Sequence, residues 1–300
     1  MMRRPRAYAA HEILVGPARA RPDLWRTLLG FILIVFLTFM LGGFADAALS
    51  TLAPGRWSQM QDPRLVGTTP FTMLMLLFGF LFLTVGVAAA VTLLHARGLA
   101  SVLGPWRAVI RDFLGVAKWL AILLGAIWVL PPWDLGAPMV PNLAPGLWLL
   151  LLPLSLAGVL IQTSAEEIVF RGYLQQQLAA RFASPLIWVG LPSALFAVGH
   201  YLPAEAGGNA IYIALWAGLF GVLMADLTAR AGNLGPAIAV HFANNLSSLL
   251  LVSLPEGLNG LSLYVLEVDI ADREALWTFL PIDFATMILF WLAARVAIRR

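Results

Sequence analysis

The chain has 300 residues, 60% of them hydrophobic and only 12% charged, with a mean hydropathy of +0.85 and a formal net charge of +3. Soluble domains carry about 25% charged residues, so this composition excludes an ordinary water-soluble globule and points to a chain solvated mostly by lipid. The pI near 9.7 does not imply a nucleic-acid partner, because the basic residues sit at the ends of apolar runs rather than in one patch. Cysteine is absent, which removes disulfides, thiolate metal ligands and a cysteine nucleophile.

Residues 1–23 are rich in Arg and Pro, and no small-residue cleavage site follows the first apolar run, so they read as an uncleaved cytoplasmic tail. Residues 24–300 read as a single transmembrane domain. Its apolar runs lie at about 24–49, 70–94, 112–130, 145–178, 186–202, 209–228, 234–253 and 277–297. Gly and Pro punctuate the connections: LAPGRW, VLPPWDLGAP, RFASPL, YLPAEAGG, RAGNLGP and SLPEGLNG. No internal repeat or low-complexity tract is present. The predicted fold is all-α, a polytopic transmembrane helical bundle of about eight spans.

Lys and Arg alternate with the spans. With the N-terminus inside, Arg3, Arg4, Arg6, Arg19, Arg21, Arg26, Arg97, Arg107, Arg111, Lys118, Arg181, Arg230, Arg295, Arg299 and Arg300 fall on the cytoplasmic side, and Arg56, Arg64 and Arg273 fall outside beside the acidic stretch YVLEVDIADRE. This predicts a multi-pass protein of a bacterial plasma (inner) membrane with both termini cytoplasmic.

An ionisable residue inside a span costs several kcal/mol and marks a site by default. Asp46, Lys118, Asp226 and Asp283 lie near predicted span ends and read as interfacial, with Asp226 and Arg230 a local ion pair. His11 falls in the tail and His95 in a loop, and neither is expected to function.

Glu166, Glu167, Arg171, His200, His241 and Asn245 differ, because all lie within apolar runs. Adjacent helical residues point about 100° apart, so Glu166 and Glu167 are not expected to face one partner. Glu167 and Arg171 are four apart with the acid first, the favourable order for a structural brace. Glu166 is then left without a counter-charge on its own helix, and a buried carboxylate of that kind suits a general base.

Depth links the other residues to it. Glu166 precedes Pro185 by 19 residues and His200 follows it by 15. At about 1.5 Å per residue, an antiparallel hairpin brings both to depths within about 6 Å. His241 and Asn245 share one helical face, about 13 Å beyond the turn at Gly232. That shallower depth fits if the fourth helix runs on into the cytoplasm through the polar GYLQQQLAARFAS, which would leave position 175 exposed to water.

One acid, two histidines and an amide suit three chemistries: a zinc ion on Glu166, His200 and His241 with an open position for water; a metal-free site in which Glu166 activates water and His241 with Asn245 holds an oxyanion; or a proton relay in a transporter. The sequence contains no H-E-x-x-H, no G-x-S-x-G and no Gly-x-Gly-Asp, so other intramembrane protease classes lack their residues.

The three motifs Glu166-Glu167-x-x-x-Arg171, Phe196-x-x-x-His200 and His241-x-x-x-Asn245, in this order and on separate apolar runs, resemble the CPBP (CAAX-processing and bacteriocin-processing, or Abi) intramembrane proteases over about residues 145–253. The resemblance implies an endopeptidase acting on membrane-associated peptides or proteins. Glu166 and His200 would activate its water, His241 and Asn245 would hold the oxyanion, and Glu167 and Arg171 would complete the first motif. It covers both a metal-free glutamic mechanism and a zinc mechanism; asparagine, a poor zinc ligand and a good oxyanion donor, favours the former. A non-proteolytic scaffold or immunity-type protein, or a proton-coupled transporter, is the competing expectation.

Overall fold

The computed structural model describes residues 6–130, 138–255 and 257–299. Arg3, Arg4, Arg300 and most of the VLPPWDLGAP connection lie outside the described residues. Eight helices occupy the eight predicted runs: α1 (Leu24–Leu52), α2 (Pro70–His95), α3 (Trp106–Val129), α4 (Pro145–Arg181), α5 (Pro185–Gly199), α6 (Pro203–Ala231), α7 (Gly235–Leu246) and α8 (Arg273–Ile298). Proline opens α2, α4, α5 and α6, where its fixed φ suits the first turn and its missing N–H costs nothing. Gly232 ends α6 in the left-handed region at φ 70°, and a side chain there would collide with the Ala10 carbonyl.

Five helices, α1, α2, α4, α6 and α8, are long and apolar enough to cross a membrane. The expected eight are not reached on these criteria. At about 1.5 Å per residue, the 15 residues of α5 and the 12 of α7 fall short of a hydrocarbon core of about 30 Å. Helix α3 carries Arg107, Arg111, Asp112 and Lys118 between its start and its middle. Helix α7 can be short because it is central. It packs against α3, α4, α6 and α8, and every residue from Gly235 to His241 is buried. Its Gly235, Ala237, Ala239 and Ala243 let those neighbours approach closely.

A small sheet, β1 (Met139–Pro141), β2 (Val252–Ser253) and β3 (Tyr264–Leu266), interrupts the helical architecture. Strand β3 is central, antiparallel to β1 with Val140 opposite Val265 and parallel to β2 with Val252 opposite Tyr264. It ties the start of α4 to the chain leaving α7.

The N-terminal stretch is not a free tail. Residues 6–18 are helical, and His11, Leu14, Val15 and Ala18 are buried against the ends of α4 and α6. This segment overturns the water-exposed extension of α4, because Gln175, Gln176 and Gln177 are all buried. Protein groups replace water for two of them. Gln176 accepts from Arg97 Nη2 at 2.7 Å and donates to the Val102 carbonyl at 2.7 Å, and Gln175 donates to the Ala225 carbonyl at 3.2 Å. Polarity read from sequence as solvation is here internal hydrogen bonding.

Candidate active site

Helix α4 delivers the first motif at a change of winding. Regular α-helix runs to Glu167, and a π-helical turn, Ile168–Leu174, carries Arg171. Helix α7 passes into a similar turn, Ser247–Leu251, just beyond Asn245. Such turns within regular helices are frequent at functional sites.

Glu167 is fully buried, and its Oε1 accepts from Arg171 Nη1 at 3.0 Å, the brace expected from the spacing. The same oxygen lies 2.8 Å from His241 Nδ1. The other nitrogen of that ring, Nε2, lies 3.3 Å from Glu166 Oε2. The expectation that the two glutamates cannot face one partner is therefore wrong. The 100° between them separates two carboxylates, but an imidazole has a nitrogen on each side of its ring and spans both. Glu166 is thus not without a possible counter-charge; its partner comes from another helix.

The cluster is not saturated. Glu166 Oε2, Glu167 Oε2 and Arg171 Nη2 are buried and have no hydrogen-bond partner among the described residues, and the 3.3 Å approach of His241 to Glu166 is close without hydrogen-bonding geometry. Aromatic rings form the walls. Arg171 lies 4.9 Å over the Phe196 ring, and Phe220 meets His241 edge-on at 5.0 Å.

Asn245 stands one turn beyond His241. One of its amide hydrogens goes to Gln162 Oε1 at 2.8 Å. Gln162 is buried, one turn before Glu166 on α4. Sequence reading missed it and Phe220. The available signal for Gln162 was a polar residue four positions ahead of Glu166 inside the run GVLIQTSAEE.

His200 is placed differently. It caps the end of α5, half-buried, and its Nδ1 lies 2.9 Å from the Phe196 carbonyl. A carbonyl only accepts, so Nδ1 carries a proton; in the neutral ring Nε2 is then the acceptor. Phe196 stands between the histidines, 4.4 Å from the His200 ring and 6.2 Å from that of His241. Among the described residues no hydrogen bond or ion pair joins His200 to Glu166 or His241. No three His, Cys, Asp or Glu side chains there are grouped to hold a metal ion. Of the three expected zinc ligands, Glu166 and His241 lie together, Oε2 and Nε2 3.3 Å apart, while His200 turns its Nδ1 to the Phe196 carbonyl.

Asp46, Asp226 and Asp283 lie apart from this cluster. Asp46 accepts from Trp57 and Gln61, Asp226 pairs with Arg230 at 2.8 Å, and Asp283 is on the exposed side of α8.

Residues 147–247, which hold all three motifs, match the family model described as Type II CAAX prenyl endopeptidase Rce1-like. The chain is also 29% identical over 244 residues to the "Uncharacterized protein YyaK" of Bacillus subtilis (strain 168), over 77% of this chain and 79% of that protein. No solved structure matches. The motif resemblance and the family match coincide: residues 147–247, set in a polytopic membrane bundle, are similar to the Rce1-like CAAX endopeptidases.

Proposed function

We propose that this protein is an intramembrane endopeptidase that hydrolyses peptide bonds of membrane-associated peptides or proteins with a water activated by Glu166. The observation that carries the reading is the His241 ring held between two neighbouring carboxylates, one clamped by Arg171 and the other with an open oxygen. A buried acid with unfilled valence beside an imidazole is the arrangement a proton acceptor needs.

In this reading Glu166 takes one proton from water as the water oxygen bonds to the scissile carbonyl carbon. The carbonyl π pair moves onto oxygen, and the second amide hydrogen of Asn245, the one not held by Gln162, donates to that oxyanion. His241 lies beside this carboxylate, its Nδ1 oriented by Glu167. Collapse breaks the C–N bond, the electron pair stays on nitrogen, and the proton held by Glu166 goes to the leaving amine. His200, across Phe196 from His241, contributes its Nε2 lone pair as a second acceptor for the water. No step runs through a metal. The alternation of Lys and Arg supports a bacterial plasma-membrane location with both termini cytoplasmic.

The test compares wild type and Glu166→Gln on fluorogenic membrane-tethered peptides, with and without a zinc chelator. The reading expects cleavage by wild type in both conditions and none by the variant. Loss with chelator and recovery with zinc would replace it with a metalloprotease, and normal turnover by the variant would remove Glu166 from the chemistry.

A further inference from the structure

A cavity of about 310 Å³ opens at the start of α1, lined by Pro22, Asp23, Leu24, Trp25 and Arg181, and it shares no residue with the Glu166–His241 cluster. Arginine collects at this end of the bundle. Arg26 donates to the Leu94 carbonyl at 3.1 Å and the Arg21 carbonyl meets the His95 ring at 3.1 Å, which brings the start of α1 to the end of α2. Arg21, Arg26 and Arg97 all lie within electrostatic range of that ring.

Carboxylates do not match this charge. Asp23 is taken by Arg26 at 2.9 Å. The side chains of Arg21 and Arg181 are exposed and have no ion pair among the described residues. Arg97 is only 7% exposed, and its hydrogen bonds go to neutral groups, Ser101 Oγ, the Ser101 carbonyl and Gln176 Oε1. Three guanidinium charges at one end therefore lack an acid. Below the cavity, Leu24, Leu28, Ile32 and Phe36 are exposed at 39%, 65%, 62% and 59%, and their spacing of four makes one continuous apolar ridge along α1. The exposed Trp25 indole at the top of that ridge is placed as interfacial tryptophans are.

The geometry points to a site for an anionic phospholipid of the surrounding bilayer, its phosphate against Arg181 in the cavity, with Arg21 next to the lining Pro22 in the chain, and an acyl chain along the Leu24–Phe36 ridge. Charge complementarity selects an anionic headgroup over a zwitterionic one, because the cavity's own carboxylate is already neutralised. The apolar ridge selects a lipid over a free anion, which would have nothing to place there. Exposed arginines at a bilayer surface each strengthen attraction to anionic lipid by a free energy that corresponds to about fivefold in affinity.

Native mass spectrometry of the full-length protein in detergent tests this with dioleoyl phosphatidylglycerol and dioleoyl phosphatidylcholine as probes. Phosphatidylglycerol should be retained preferentially. Arg21→Ala and Arg181→Ala should each weaken its retention about fivefold, while Arg273→Ala, at the start of α8, should not. Both substitutions are at exposed positions, and an unchanged thermal melt without added lipid controls for folding. Inorganic phosphate should fail to displace the lipid. Equal retention of the two lipids, or unchanged retention in both cavity variants, would overturn the proposal; full displacement by phosphate would reduce the cavity to a general anion site.

Discussion

Two acids in this bundle carry an arginine four residues later: Glu167 with Arg171 on α4, and Asp226 with Arg230 on α6. In sequence they are the same device. In three dimensions Asp226 is saturated. Its Oδ1 accepts from Tyr8 Oη at 2.8 Å and Arg230 Nε at 2.8 Å, and its Oδ2 accepts from Arg230 Nε at 2.9 Å and Trp291 Nε1 at 3.0 Å. These donors come from the N-terminal segment, α6 and α8, so the acid locks three parts of the chain together. Around Glu167 the donors crowd onto Oε1, while Oε2, the neighbouring Glu166 Oε2 and Arg171 Nη2 are left open. Unfilled hydrogen-bond capacity in a buried cluster is costly and needs a reason; under the proposed function, a reacting water and peptide supply one. The Asp226 cluster holds the bundle together; the Glu166–Glu167 cluster keeps open hydrogen-bonding capacity.

The comparison can be broken most directly through its two acids. Glu166→Gln should lower turnover of a membrane-tethered peptide about a thousandfold with an unchanged melt. Asp226→Asn should leave turnover per folded molecule intact, and an inactive but stable Asp226→Asn protein would end the distinction. Arg171→Ala removes one partner of a fully buried pair and should cost about 3–5 kcal/mol, read as a lowered melting temperature and a poor folded yield. A well-folded, inactive Arg171→Ala protein would instead place the arginine in the chemistry.

Gln162→Leu sharpens the open side of the comparison. It releases Asn245 without touching either glutamate, and should reduce kcat by up to about a hundredfold with little change in KM, as misplacement of an oxyanion donor would.

The smallest effect belongs to the saturated cluster. Tyr8→Phe deletes one hydrogen bond and should cost about 1 kcal/mol. Burial, and then the hydrogen bond to Asp226, push the Tyr8 hydroxyl from 10.0 up to about 12. Folding therefore favours its protonated form. The contribution is fully present below pH 10 and lost as pH rises through about 12, so wild type should lose stability relative to Tyr8→Phe across that interval in thermal melts.

Much of the architecture was legible because it depends on local properties. Apolar runs, opening prolines and the glycine at 232 place all eight helices close to where they form. The brace between Glu167 and Arg171, and the pair of Asp226 with Arg230, follow from a spacing of four on one helix. What was misread depended on distant residues. The glutamines at 175–177 looked solvated because nothing nearby announces Arg97, Val102 and Ala225 as their surroundings. The packing of residues 6–18 left no local sign because the surface that buries His11 and Leu14 belongs to α4 and α6. The α7 run reads like any other span because apolar composition does not distinguish a helix wrapped in lipid from one wrapped in other helices.

By itself, then, the sequence determined that this is a helical membrane bundle and which arginine braces which acid, since hydropathy and helical periodicity act within a few turns of chain. Only the tertiary structure decided that His241 spans both glutamates from 74 positions away, that Gln162 holds Asn245 across 83, and that Phe196 stands between the two histidines. Those contacts depend on which helix faces lie against one another, and such facing is a property of the packed core that no local pattern encodes.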